Sequence, residues 1–238
     1  MRNEKTEGTE AKSMKVIGIN GSARKDGNTA LILRLVFAEL EAAGIETELI
    51  QLADLEIAPC RGCFGCRGKA NCVFQDDGFC SVMEKMTAAD GILLGSPVYS
   101  ADVSAKMKAL LERAGVVAAT NPGLFRHKVC AAAAAVRRGG GLAAVDTMNH
   151  FFLNKEMLVV GSTYWNMVYG REIGDVLSDA EGVANMKNLG RNMAWLLEKT
   201  AARYSGRRHP GTGITGAMHC LTGRRARSRL PDGWPRCR

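Results

Sequence analysis

Thiol chemistry is concentrated in one stretch of this sequence. Cys60-Arg-Gly-Cys63-Phe-Gly-Cys66-Arg-Gly-Lys-Ala-Asn-Cys72 has the spacing C-x2-C-x2-C-x5-C and holds four of the chain's eight cysteines. Gly62 and Gly65 sit in the short gaps, where they let the backbone wrap tightly and turn thiols toward one point. In a reducing compartment such a cluster serves a metal or redox chemistry rather than a disulfide framework. Three cysteines at x2 spacing are the local part of a [4Fe–4S] site, and Cys72, on a longer arm, can return to the same cluster. Two other readings stand beside it. Structural zinc also takes four thiolates, usually as two separated C-x2-C pairs, and the third reading is thiols that carry no metal, empty or redox-active. Cys80, Cys130, Cys220 and Cys237 have no partner spacing, and Cys130, in an apolar run, reads as core.

Three loops add polar chemistry. Gly21-Ser-Ala-Arg-Lys-Asp-Gly-Asn-Thr29 runs from an apolar stretch into a helical one. Its backbone N–H groups, the side chains of Ser22, Asn28 and Thr29 and the helix dipole suit a phosphate. It lacks both the G-x-G-x-x-G and the Walker A patterns. Pro97-Val-Tyr-Ser100 offers a stiff corner and an aromatic ring against which a flat ring system can lie. Arg137-Arg-Gly-Gly-Gly141 offers close backbone approach and two cations. The histidines carry no such pattern. His127 precedes a strand and reads as structural, His150 adjoins Phe151 and Phe152 and reads as packing, and His209 and His219 fall in the tail. No Ser/His/Asp or hydrolase-metal spacing occurs, so no catalytic acid or base is assigned and cofactors are expected to carry the chemistry.

The elements that position these loops follow from periodicity. Lys15–Asn20, Ile45–Leu52, Gly91–Gly95, Lys128–Val136 and Met157–Gly161 read as strands. The fourth does so despite its five alanines, and the second carries Ile45, Thr47, Leu49 and Gln51 on one face with charges on the other. Helices are predicted over Thr29–Ala43 (stopped by Gly44), from an Asp76-Asp77 cap to Met86, and over Ser104–Ala114, Leu142–Leu153 and Glu181–Tyr204. Ser162–Ser178 reads as irregular, with Tyr164, Trp165 and Asn166 together. This alternation predicts an α/β fold: a flavodoxin-like, doubly wound, five-stranded parallel sheet of order 2-1-3-4-5, with a cysteine-rich insertion (58–80) after strand 2. Ligands of such sheets bind beyond the carboxyl ends of the strands. The insertion leaves that edge too, so the thiols are expected beside the three loops, placing two redox centres on one edge.

Taken in order, Gly21–Thr29, Gly95-Ser-Pro-Val-Tyr99, Arg138-Gly-Gly140 and Gly161-Ser-Thr-Tyr-Trp-Asn166 resemble the NADPH-dependent FMN reductase branch of the flavodoxin-like flavoproteins. The cysteine spacing is similar to that of its iron–sulfur flavoprotein members. The resemblance spans about Met14 to Tyr204. It implies FMN, with Ser22, Arg24, Asn28 and Thr29 around the phosphate, Pro97, Val98, Tyr99 and Ser100 along the isoalloxazine, and Arg138, Gly139 and Gly140 near its far side. Under it, Cys60, Cys63, Cys66 and Cys72 would hold a 4Fe–4S cluster. It implies a homodimer or tetramer, and electron transfer between a small donor such as ferredoxin and an acceptor, with NAD(P)H as a further candidate donor. Two alternatives are a cluster-free NAD(P)H-dependent FMN or quinone reductase and a zinc-stabilised FMN-binding regulatory module.

Charge distribution limits the partners. The formal charge is +8, but residues 206–238 alone carry eight Arg against one Asp. The body is therefore near neutral, which argues against specific nucleic-acid binding by the folded domain. Residues 1–13 and the basic 206–238 tail read as disordered flanks of a 14–205 domain. Residues 1–13 also lack the apolar stretch of a secretory signal, and no apolar run reaches the roughly 18 residues of a membrane span. A cytoplasmic protein is expected. A chain ended at Ser205 should keep its flavin stoichiometry, read from the visible-to-280 nm absorbance ratio; loss of flavin would contradict the tail's exclusion from the site.

Overall fold

A computed structural model describes residues 13–204. The expectations for the first residues and for the tail, including Cys220, Cys237, His209 and His219, lie outside them. One compact unit extends to Lys199, and of a second, beginning at Thr200, only the last residues of a helix are described.

The chain alternates strands and helices as the periodicity predicts. β1 (Lys15–Asn20), β2 (Glu46–Gln51), β3 (Gly91–Pro97), β4 (Val129–Val136) and β5 (Leu158–Val159) form a parallel sheet in the order β2-β1-β3-β4-β5. Between them run α1 (Asn28–Ala42), α2 (Phe79–Ala88), α3 (Ala105–Thr120) and α4 (Gly141–Asn154), and α5 (Ala180–Tyr204) ends the described chain. A sixth strand, β6 (Met167–Tyr169), was not expected. It pairs with Ala134–Val136 of β4, while β5 pairs with Val129 and Cys130. The fifth row of the sheet is thus split, and Val160–Asn166 leaves it between the two pieces.

The helices cover both faces. Ile92, Leu94, Cys130, Ala132 and Ala134 point to one core, against α2, α3 and α4. Leu93, Val129, Ala131, Ala133 and Ala135 point to the other, against α1 and α5. The alanine run forms a strand because it is central and fully buried. There, packing on two faces outweighs the helical preference of alanine. In β2 the buried side chain is Ile50, on the face that carries Glu46 and Glu48. Met83, Met86 and Ile50 all join the α2–α4 core.

Two helix boundaries differ from expectation. α3 continues six residues past Ala114, because Val117 and Ala118 remain buried and outweigh the cost of Gly115. α2 begins at Phe79, whose N–H donates to Asp77 Oδ1 at 3.1 Å, so Asp77 rather than Asp76 serves its start. His150 is exposed rather than packed.

Small residues set the spacing of α1 from the sheet. A Cβ on Gly18 would lie 2.5 Å from Phe37 Cζ, and one on Gly95 would lie 2.8 Å from Leu33 Cδ2. Gly18→Ala is therefore expected to destabilise the fold by about 1–3 kcal/mol through overpacking. Urea unfolding followed by circular dichroism measures it, and an unchanged midpoint would show that Phe37 moves aside freely.

Candidate functional site

The phosphate-type loop is organised by Asn20, a fully buried residue at the end of β1 that pattern reading passed over. Its Oδ1 accepts from Ser22 N at 3.0 Å, and its Nδ2 donates to Gln51 Oε1 at 2.7 Å and Lys25 O at 3.4 Å. Ser22 Oγ accepts from Arg24 N at 3.0 Å. Ser22 and Thr29 are buried, and Arg24 is exposed. α1 starts at Asn28 with no side-chain cap and no acidic residue in its first turn, so its positive end faces the loop unblocked. Asn28 is placed differently from expectation: its amide holds a later segment, donating to Glu172 O and accepting from Gly174 N, each at 2.8 Å.

The three loops meet at the carboxyl edge of the sheet. Gly21 N donates to Gly95 O, and Ser104 Oγ, the cap of α3, donates to Gly21 O at 2.6 Å. In the second loop Pro97 and Val98 are half-buried, Tyr99 and Ser100 exposed. Tyr99 and Asp102 exchange backbone bonds around Ser100 and Ala101, both left-handed (φ 49° and 65°). Two successive non-glycine residues in that region are strained, a state that tight ligand loops often hold. Burial works to raise the pKa of Asp102, but the Thr147 hydroxyl of α4 and the Val103 amide keep its carboxyl below the usual range. In the third loop Gly140 must be glycine twice over: its φ is +83°, and a Cβ would lie 2.8 Å from Val98 Cγ1. Arg138 and Gly139 are exposed beside it.

Gly139, Gly140 and Gly141 also form one wall of a cleft of about 360 Å3. Tyr164, Trp165, Tyr169, Asp179 and Glu181 form much of the rest. The excursion that breaks the fifth row carries Tyr164 and Trp165 into it. Asn185 of α5, 4 % exposed, holds that excursion by accepting from Tyr164 N at 3.0 Å and donating to Trp165 O at 2.6 Å. A lone Asn within a helix gave no sign of this role.

The thiols occupy a different place from the one expected. The insertion leaves the carboxyl edge after β2 but then runs down the length of α3. Lys106 Nζ in the first turn of α3 donates to Leu55 O at 2.7 Å, Arg113 in its middle donates to Phe74 O at 2.6 Å, and Asn121 at its end donates to Cys66 O at 2.9 Å. Cys60, Cys63, Cys66 and Cys72 line one narrow opening of about 20 Å3, with Arg113, Val116 and Val117 of α3 beside them. At 1.5 Å per residue those three lie about 12–18 Å along α3 from its start at the loop edge. The expectation of one shared edge is thus corrected. The insertion uses α3 as its support, and α3 runs antiparallel to the strands.

The wrapping of the cysteine stretch matches its composition. Gly62, Phe64, Gly68 and Ala70 are all left-handed, and a Cβ on Gly65 would lie 3.0 Å from Val73 Cγ2. Cys66 Sγ lies 3.3 Å from Thr120 Oγ1, and Cys60 Sγ accepts from Gly62 N at 3.4 Å. Among the described residues no three Cys, His, Asp or Glu side chains converge on a single-ion site. The four cysteines instead line one opening. Cys80 is half-buried beside them, its thiol facing Phe74 O at 3.4 Å; burial and the neighbouring Cys72 push that thiol up. Cys130 is core as expected, its thiol pushed up by burial alone.

Arg113 is the charged residue of this region that the pattern did not show. It is 3 % exposed, its Nη1 lies 2.5 Å from Asp77 Oδ2, and its guanidinium lies 4.3 Å over the Phe79 ring. Burial opposes its charge, but the side chains of Cys72 and Asp77 outweigh that and raise its pKa. Burial likewise opposes the Asp77 carboxylate, while the Ala58 and Phe79 amides and Arg113 hold it below the usual range.

Residues 14–172 match the family model described as NADPH-dependent FMN reductase. An iron–sulfur flavoprotein of Methanocaldococcus jannaschii is 40% identical over 188 residues, 76% of this chain and 96% of that protein. One from Methanosarcina thermophila is 35% identical over 150 residues, 62% and 78% of the two chains. Among solved structures, a flavone reductase superposes with a TM-score of 0.60 at 20% identity, over 82% of this chain and 66% of that one. An archaeal flavodoxin gives 0.53 at 15% identity, over 78% and 99%. With the sheet order, the three loops and the cysteine stretch in place, the chain belongs to the NADPH-dependent FMN reductase family of flavin-dependent oxidoreductases, alongside the iron–sulfur flavoproteins.

Proposed function

We propose that this chain binds FMN at the carboxyl edge of the sheet and a [4Fe–4S] cluster on Cys60, Cys63, Cys66 and Cys72. Its activity is electron transfer between a small donor protein such as ferredoxin and an acceptor. The observation that carries this reading is the grouping of four free cysteines around one opening, on a chain whose first loop is bonded to the end of β3 and whose second and third loops pack against each other.

The residues present fit both groups. At the edge, the uncapped start of α1, the buried Ser22 and Thr29 and the exposed Arg24 suit a phosphate. Asn28 fixes the neighbouring 172–174 segment. Pro97, Val98, Tyr99 and Ser100, with Arg138, Gly139 and Gly140 packed beside them, offer adjoining parts of one edge for a flat ring. The strained Ser100–Ala101 turn and Gly140 hold the two loops in direct contact, since a Cβ on Gly140 would lie 2.8 Å from Val98 Cγ1. At the insertion, the donor set is the soft thiolate set that such clusters take, and Phe64, Val73, Val116 and Val117 give it an apolar surround. When bound, FMN can exchange one or two electrons, so the pair of cofactors links a one-electron donor to a two-electron acceptor. The cleft beside Gly139–Gly141 is the place for that acceptor, since aromatic walls suit a planar molecule. The exposed Tyr164, Trp165 and Leu142 support assembly as a homodimer or tetramer. Among the described residues no helix is long and apolar enough to cross a membrane.

Anaerobically purified protein is expected to contain iron, acid-labile sulfide and FMN, with flavin absorption bands over a broad iron–sulfur shoulder. Full FMN without iron, together with brisk NADPH oxidation, would replace this reading with a cluster-free reductase. Bound zinc without flavin reduction would replace it with a regulatory module. Cys63→Ala should remove iron and sulfide while leaving FMN bound. Arg24→Ala should weaken FMN binding about tenfold, or about 1.4 kcal/mol, without loss of iron; equal loss of both cofactors from either variant would argue against two separate sites.

A further inference from the structure

We propose that Arg113 tunes the reduction potential of the cysteine site, and that Asp77 limits how far it does so. The inference rests on the reading of the four cysteines as ligands of an iron–sulfur cluster.

Arg113 comes from α3, outside the cysteine stretch, and lines the same opening as Cys60, Cys63, Cys66 and Cys72. Its side chain is nearly out of contact with water, so its field is little screened. Its position is fixed from several directions. The guanidinium donates to Ala58 O at 3.4 Å and Phe74 O at 2.6 Å, one on each flank of the cysteine stretch, and lies over the Phe79 ring. These bonds hold a cation where a long, flexible side chain would otherwise reach solvent.

The sign of the effect follows from charge. Reduction of a thiolate-held cluster by one electron from the donor protein, with no proton, would make it more negative by one. A fixed neighbouring cation favours the more negative state, so Arg113 raises the potential. Net charge, hydrogen bonds to sulfur and solvent exposure are the terms that set such potentials. Asp77, 2.5 Å from Nη1, offsets part of that cation. The opposed pair therefore makes opposed predictions, which a purely structural clamp does not.

The test is an anaerobic dithionite titration followed by electron paramagnetic resonance, on full-length protein whose iron and sulfide are assayed in the same preparation. Arg113→Gln should shift the one-electron reduction equilibrium about tenfold toward the oxidised form, a fall of about 59 mV. Asp77→Asn should shift it in the other direction. Arg113→Lys keeps the charge and should stay nearer the wild type than Arg113→Gln. If Arg113→Gln loses its iron, the upward shift in Asp77→Asn carries the test alone. Loaded variants with unchanged potentials, or with shifts of the same sign, overturn the proposal. Wild-type protein without iron overturns it together with the reading of the cysteines, and the assay distinguishes that failure from the first.

Discussion

Close approach of helices to a parallel sheet is the constraint on which this molecule depends. Five of the eight residues of β4 are alanine, and Gly18 and Gly95 remove side chains where α1 crosses β1 and β3. Gly190 does the same between the two helices of that face: a Cβ there would lie 2.6 Å from Val36 O. With so little bulk in the central strands, helices on both faces sit near the sheet and the strand ends gather into a small area. The edge can then close directly, with Gly21 bonded to Gly95, Ser104 to Gly21 and Val98 to Ala135, and with Gly140 packed against Val98. Loop geometry at the edge is thus a consequence of small residues in the core.

The same economy explains what a reader of the sequence can and cannot see. Alternating apolar runs and helical periodicity made the sheet order legible, because buried parallel strands are continuous in sequence. Loops that interrupt them were legible for the same reason. The split fifth row was not. β6 is three residues long, and it is a strand only because Val136 and its neighbours offer it a free edge. Asn20, Asn185 and Arg113 were equally hidden. Each is a single polar residue with at least one partner twenty or more residues away, and one sequence does not show such pairings.

The location of the thiols is the instructive correction. Topology alone puts the start of an insertion at the carboxyl edge, and Leu52 and Leu55 do lie there. Side chains of α3 then decide where it goes. Lys106, Arg113 and Asn121 are spaced along the helix and take hold of the insertion in turn. Cysteine spacing grouped four residues that do line one opening, but it contained no information on the helix that supports them.

That mode of attachment gives the segment a stability of its own. Between Ala58 and Gly78 its short-range backbone bonds are single turns, such as Lys69 N to Cys66 O, and α3 holds it largely through side chains. Such a segment can open while the sheet stays intact, because local opening follows the weakest cooperative unit. Any ion or cluster held by the closed form alone shifts that opening by mass action. The loop is therefore a built-in gauge of its own loading: amide exchange and proteolytic nicking confined to it would register whether its closed form holds a bound group, with the remainder of the fold unchanged.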